Sequence, residues 1–234
     1  MSQLRIKSYG RRGGRSGVSA IEAYHLLWPT VGLDASSVLD LEKAFGRKAS
    51  SLLEIGFGTG QSLLELAKLY PEKNFIGVET YHPAVKKLCL GIHQETLTNI
   101  RIYQADVVEV LTHCFGTESL DAIMIFFPDP WPKRRHHLRR LIQPDFLQLL
   151  QDKLTVNGSL HLATDWEEYA QHMRAVLSLN KAFCNRSHTG KYIQRSLLRP
   201  VVTKFERRAI EEGRSIWDLQ FVKEASAEYL LHSR

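Results

Sequence analysis

The run from Ser50 to Gly60, SSLLEIGFGTG, decides the fold. Ser50 to Ile55 is a short apolar run of strand length broken at once by glycines. That is the pattern of a strand buried on both faces. Gly56, Gly58 and Gly60 then allow a tight turn and a close backbone approach to a ligand. Gly60 to Leu69 follows with Leu63, Leu64 and Ala67 at helical spacing. Strand, glycine turn and helix in that order open a βαβ unit.

The alternation continues downstream. Strands are expected at Asn74 to Glu79 (NFIGVE), Ile100 to Gln104 (IRIYQ), Leu120 to Phe127 (LDAIMIFF) and Gly158 to Ala163 (GSLHLA). Helices are expected between and after them, at Pro83 to Ile92, Asp106 to Cys114, Pro144 to Leu154 and Trp166 to Leu177. Past Phe183 the pattern blurs. Thr203 to Gly213 reads as a loop running into a helix, and Ile216 to Val222 as a last strand. Upstream, Ser19 caps a helix from Ala20 to Leu27 that stops at Trp28-Pro29, and a second short helix covers Ser36 to Phe45. Such alternation implies an α/β protein with a doubly wound, mostly parallel sheet. It forms a single domain, residues 19–234, preceded by a flexible basic arm, residues 1–18. The arm holds Arg5, Lys7, Arg11, Arg12 and Arg15 among four glycines.

The 234 residues carry a net charge of +6, which favours an anionic partner such as nucleic acid or an anionic membrane. Cys89, Cys114 and Cys184 are dispersed and odd in number, which argues against a disulfide framework and for a reducing compartment. No apolar run reaches membrane-spanning length and no apolar signal segment opens the chain, so a cytoplasmic protein without a membrane partner is expected. No zinc-site spacing occurs, and no metal is expected. The oligomeric state stays open.

In a doubly wound sheet, ligands bind outside the C-terminal strand ends. Glu54, Glu79, Asp106 and Asp129 all fall there. The turn is G-x-G-x-G, and Gln61 stands where a dinucleotide fingerprint needs glycine. Glu54, just before the glycines, repels a pyrophosphate but attracts an ammonium or sulfonium group. S-adenosylmethionine carries both. Glu79 suits two ribose hydroxyls, and Asp106 suits an adenine amino group. Helix capping is the competing role for Glu54 and Asp106. It does not explain four acids at four strand ends.

After the fourth strand comes FFPDPWPKRRHHLRR, Phe126 to Arg140. Proline fixes its own φ and biases the residue before it, so Phe127, Asp129 and Trp131 are held in place. The cations Lys133, Arg134, Arg135, Arg139 and Arg140 follow, with His136 and His137 among them. A rigid carboxylate and an aromatic beside a cationic patch suit a polar base on a phosphate backbone. A proline-rich turn leading to a solvated helix face is the plainer alternative. Trp131 has two readings, base stacking or a hydrophobic plug at the sheet edge. Phe205 is equally divided between contact and packing. His136 and His137 lack a carboxylate at metal-site spacing, which favours surface or phosphate contact.

With LLEIGFGTG, GVET, QADVVEVL, FFPDPWPKRRHHLRR, LATDWEEYA and TKFERRA together, the chain resembles the bacterial tRNA (guanine-N7)-methyltransferases. These have the class I S-adenosylmethionine-dependent methyltransferase fold. The resemblance covers nearly the whole chain, and the PDPW-P-K segment with its basic tail is its most specific part. It implies methyl transfer from S-adenosylmethionine to N7 of a guanine at position 46 in the tRNA variable loop. Matched positions imply Glu54, Glu79, Asp106 and Asp129, with the turn of Gly56, Gly58 and Gly60, as cofactor contacts. They imply Asp129 as the catalytic residue. Lys133, Asp165, Thr203, Lys204, Phe205 and Glu206 are implied as substrate-binding, and Arg134, Arg135, His136, His137, Arg139 and Arg140 as RNA-contacting. Three positions depart from the family's pattern. Gly17 and Ala20 stand in the arm region where polar residues are expected, and Ala84 stands where glycine is usual.

Overall fold

A computed structural model describes residues 18–225. The expected basic arm lies outside these residues, apart from Val18, which opens the first helix. Five strands run parallel: β1 (Ser51–Ile55), β2 (Asn74–Val78), β3 (Ile100–Tyr103), β4 (Leu120–Phe126) and β5 (Leu154–Thr164). Two more complete the sheet, β6 (Phe183–Asn185) and β7 (Trp217–Lys223), in the order β3-β2-β1-β4-β5-β7-β6. β7 runs antiparallel to both neighbours, wedged between β5 and β6. Periodicity alone located β7 but carried nothing about its direction. β6 is too short to leave a period.

Helices cover both faces. On one side lie α1 (Val18–Val31), α3 (Gln61–Leu69) and α4 (His82–Glu95); α2 (Leu41–Phe45) precedes β1. Leu63, Leu66, Val85, Leu88 and Ile92 pack there against Leu52, Phe75 and Ile102. On the other lie α5 (Val107–His113), α6 (Pro144–Lys153) and α7 (Glu167–Leu179). They bring Val110, Phe146, Leu150, Tyr169 and Met173 against Leu53, Ile76, Ile123 and Leu160. Leu52 and Leu53 thus face opposite layers, as adjacent strand residues must. Each such side chain fully removed from water contributes about 2 kcal/mol.

Several boundaries differ from the sequence reading. β5 starts at Leu154 instead of Gly158. α1 continues through Pro29 to Val31 instead of stopping at Leu27. The helix keeps the proline because tertiary contacts hold the chain on both sides of it: Tyr24 stands edge-on to His82 of α4 with ring centres 5.0 Å apart, and Leu33 N–H donates to the Ile102 carbonyl of β3 at 2.8 Å. The helix near Phe45 starts at Leu41, not Ser36. The Asp34 side chain accepts from the Ser36 N–H at 3.0 Å and makes a turn there. Asp40 then caps α2 by accepting from Lys43 N–H.

Candidate active site

The parallel register sets the site. Ile55 pairs with Val78 and Ile125, Val78 with Tyr103, and Phe126 with Ala163. The five strands therefore end level, and their following residues collect along one edge. Strand order reverses between β1 and β4, where a ligand crevice forms. Glu54, Glu79, Asp106, Asp129 and Asp165 all lie on that edge.

Glu54 is 4% exposed, and its Oε2 has no hydrogen-bond partner. A buried carboxylate left so is costly. Burial, and secondly the charge of Glu79, push its carboxyl up to about 8. The turn beside it has left-handed backbone. Gly58, at φ 55°, has open space where a side chain would stand. Gly60, at φ 76°, lies so close to Leu88 that a Cβ would meet it at 2.7 Å. Gly56 N–H donates to the Val78 carbonyl at 2.8 Å and ties the turn to β2. A donor group on a cationic ligand fits this setting: the orphaned oxygen accepts and the glycines leave room.

Glu79 braces the same turn. Its Oε2 accepts from Gly58 N–H at 3.1 Å, and its Oε1 from Thr80 and Tyr81 N–H at 2.8 and 2.9 Å. Asp106 caps α5, accepting from Val108 N–H at 2.8 Å. The capping role holds for Asp106 and not for Glu54, which sits inside β1.

Past β4 the backbone enters the left-handed region at Phe127 (φ 53°) and Trp131 (φ 45°), either side of Asp129. Phe127 N–H donates to the Ala163 carbonyl at 2.7 Å, and Asp129 is exposed. Trp131 is 8% exposed, with the Arg139 guanidinium 5.0 Å from its ring centre and His136 edge-on at 5.8 Å. Of its two readings, packing is the one realised here.

The basic run folds into a 3-10 helix, Arg134–Arg139, and sorts itself by face. Lys133, Arg134, Arg135 and Arg139 are exposed. Arg140, expected as an RNA contact, is not; it is 1% exposed. Its Nε donates to the Pro130 carbonyl, its Nη2 approaches Glu168 at 3.4 Å, and its guanidinium lies 5.0 Å from the Tyr169 ring centre. His137 is half-buried, with Nε2 also 3.4 Å from Glu168. His136 remains partly exposed; slight burial and then the charges of Arg139, Arg135 and Lys133 hold its imidazole below the usual range.

Asp165, at the end of β5, is partly buried and engaged by Arg214, which sequence reasoning did not single out. Thr203 caps α8 (Lys204–Glu211) by accepting from Glu206 N–H at 3.3 Å. Lys204 and Phe205 are exposed. Glu206, expected as a substrate contact, is 2% exposed and paired with Arg195 and Arg199. The tetrad has capping-box spacing, but only its threonine half is used. A cavity of about 470 Å³ separates Gln61, first residue of α3, from Lys204, Arg207, Arg208 and Glu211. Arg207 and Arg208 were missed because charge on an exposed helix has no distinguishing period.

Among the described residues no group of three or more His, Cys, Asp or Glu side chains is arranged to hold a metal, and no helix is long and apolar enough to cross a membrane.

A family model described as "Putative methyltransferase" matches residues 48–219. A tRNA (guanine-N(7)-)-methyltransferase of Pseudomonas paraeruginosa is 46% identical over 217 residues, covering 92% of this chain and 88% of the relative. One from Aeromonas hydrophila is 48% identical over 219 residues, covering 93% and 92%. Among solved structures, the 16S rRNA methyltransferase KamB superposes with a TM-score of 0.61 at 12% identity, covering 81% of this chain and 95% of that one. That likeness concerns the fold.

Proposed function

The chain belongs to the tRNA (guanine-N(7)-)-methyltransferase family, and on that premise we propose how its residues carry the reaction and where on tRNA it falls. The enzyme methylates guanine N7 in tRNA, with S-adenosylmethionine as donor. The guanine is the one at position 46 in the variable loop, and the reaction takes place in the cytoplasm. The bound donor supplies an electrophilic methyl group on a sulfonium.

The observation that carries the cofactor assignment is the orphaned Glu54 Oε2 at the strand-order reversal. It is an acceptor in want of a donor, beside a turn with room for one. Glu79 accepts from ribose hydroxyls in exchange for part of its backbone bonding, and Asp106 receives the adenine amino group.

Guanine N7 has an exposed lone pair and no proton, so the attack needs no general base at that atom. The product ring is cationic. The protein must hold donor and acceptor in line and stabilise positive charge on the base. Asp129 does this: it lies on the same edge as Glu54, on a loop fixed by two prolines. Asp165 accepts from guanine N1 and N2 in place of Arg214. Phe205, 58% exposed on α8, offers a stacking face. Lys133, Arg134, Arg135 and Arg139 on one segment, and Lys204, Arg207 and Arg208 on another, hold phosphates.

The test is incubation of the protein with unmodified bulk tRNA and methyl-labelled S-adenosylmethionine, then digestion to nucleosides. Labelled 7-methylguanosine from the variable loop is expected. Label in another nucleoside, or at another guanine, rejects the assignment.

A further inference from the structure

We propose that Arg199 is a positioning residue for methyl transfer, acting through Phe127 on the loop that carries Asp129, and that Glu206 serves this purpose instead of contacting tRNA. The inference rests on the role given to Asp129 above.

Arg199 is 2% exposed, an unusual place for a guanidinium. Its Nε donates to Asp218 Oδ1 at 3.1 Å and its Nη2 to Oδ2 at 2.6 Å. Its Nη1 lies 2.5 Å from Glu206 Oε2, an ion pair rather than an aligned hydrogen bond. The fork thus joins β7, which carries Asp218, to the first turn of α8. Burial works against its charge, and the bonds and charges of Asp218 and Glu206 more than offset that, holding its pKa above the ordinary value. Arg195 closes the assembly, pairing with Glu206 and donating from Nε to the Arg199 carbonyl at 2.8 Å.

The same guanidinium lies 5.5 Å from the ring centre of Phe127. Phe127 is a bulky residue at φ 53° immediately before a proline, a backbone state that persists only when its surroundings impose it. Three supports are visible: its N–H bond to Ala163, its packing against the core layer beneath α3 and α4, and the Arg199 fork over its ring. Asp129 follows two residues later. A fork pinned by two carboxylates therefore fixes the start of the catalytic loop. Glu206, buried and held by two arginines, has no free face for RNA.

The experiment compares Phe127→Leu, Arg199→Lys and Glu206→Gln with wild type, using unmodified tRNA and S-adenosylmethionine. Thermal midpoint, tRNA Kd, cofactor Kd and single-turnover rate at saturation are measured. Phe127→Leu removes the ring and leaves every ion pair, so it decides the matter where the buried substitutions fail to fold. The expected result for each folded variant is transfer slowed about tenfold or more, since small misplacement at a reacting centre is costly. Both Kd values stay within about twofold. Combining Phe127→Leu with Asp129→Asn adds no further slowing, because one acts through the other. A wild-type rate in folded Phe127→Leu, an additive double variant, or lost tRNA affinity with retained rate in Glu206→Gln overturns the inference. Asp129→Asn run in parallel separates the two levels. A wild-type rate there overturns the Asp129 reading and this inference with it. A slow Asp129→Asn beside a fast Phe127→Leu overturns the positioning alone.

Discussion

The Nε of Arg140 donates to the carbonyl oxygen of Pro130 at 2.9 Å. The cation that ends the basic run thus folds back on the loop that precedes it, at the residue following Asp129. The charges nearby register this closeness. Burial above all pushes the Tyr169 phenol up to about 12, with the Arg140 guanidinium opposing and the Asp129 carboxylate adding.

Arg140→Ala removes this brace and leaves the Pro130 carbonyl without its donor. It is expected to destabilise the protein by about 2–4 kcal/mol. Arg134→Ala, at an exposed position, is expected to stay within about 0.5 kcal/mol of wild type. Denaturant unfolding of both variants checks the contrast. Equal stability of the two contradicts a bracing role.

Asp129→Asn keeps the shape of the side chain and removes its charge. Single-turnover methyl transfer is expected to fall about 100-fold, the scale seen when one transition-state stabiliser is lost. Cofactor affinity falls far less, because Glu54 and Glu79 remain. Unchanged turnover rejects the assigned role.

Glu54 gives the cofactor-free protein a pH signature. Its carboxyl is raised from 4.5 to about 8 by burial and by Glu79. Between those values the folded chain holds a proton that the unfolded chain has released, so stability falls as pH rises through the window. A cationic ligand needs the carboxylate, so binding releases that proton. Cofactor affinity is expected to rise from pH 6 to about 8, by up to about tenfold per unit, and then level off. Calorimetry in buffers of different ionisation heat counts the proton. A flat affinity over this range, or a rise that persists in Glu54→Gln, counts against Glu54 as the ligand's partner.

The α8 cations have a salt signature. Arg207→Ala is expected to weaken tRNA binding and to lower the slope of log K against log salt by about one. Cofactor binding should not change. Filter binding at several salt concentrations reads this, and an unaltered slope removes Arg207 from the RNA surface.

Much of this was legible in the sequence because it is locally encoded. A continuous apolar run such as SLLEI marks a strand buried on both faces, and glycines at 56, 58 and 60 mark a turn with left-handed backbone. The alternation of strands and helices then sets a parallel sheet, and acids placed after each strand meet at one edge without further information. Family motifs added roles to those positions, yet a motif does not say which way a side chain points. Glu206 and Arg140 both stand in matched segments, and both turn inward.

Only the tertiary structure decided those directions. A charge on a helix or loop has no period that tells solvent from core; its burial depends on partners far along the chain. Arg199 is buried because Asp218 and Glu206 close around it, and Arg140 because Pro130 and Glu168 receive it. Likewise Pro29 stays inside α1 because Tyr24 before it packs on His82 of α4 and Leu33 after it bonds to Ile102 of β3, against its local tendency to end a helix. The sequence by itself determined the sheet and its edge of acids, through short-range patterns of apolarity and glycine. The fold decided which charges stay at the surface and which are paired inside, because pairing in a low-dielectric interior is a long-range choice.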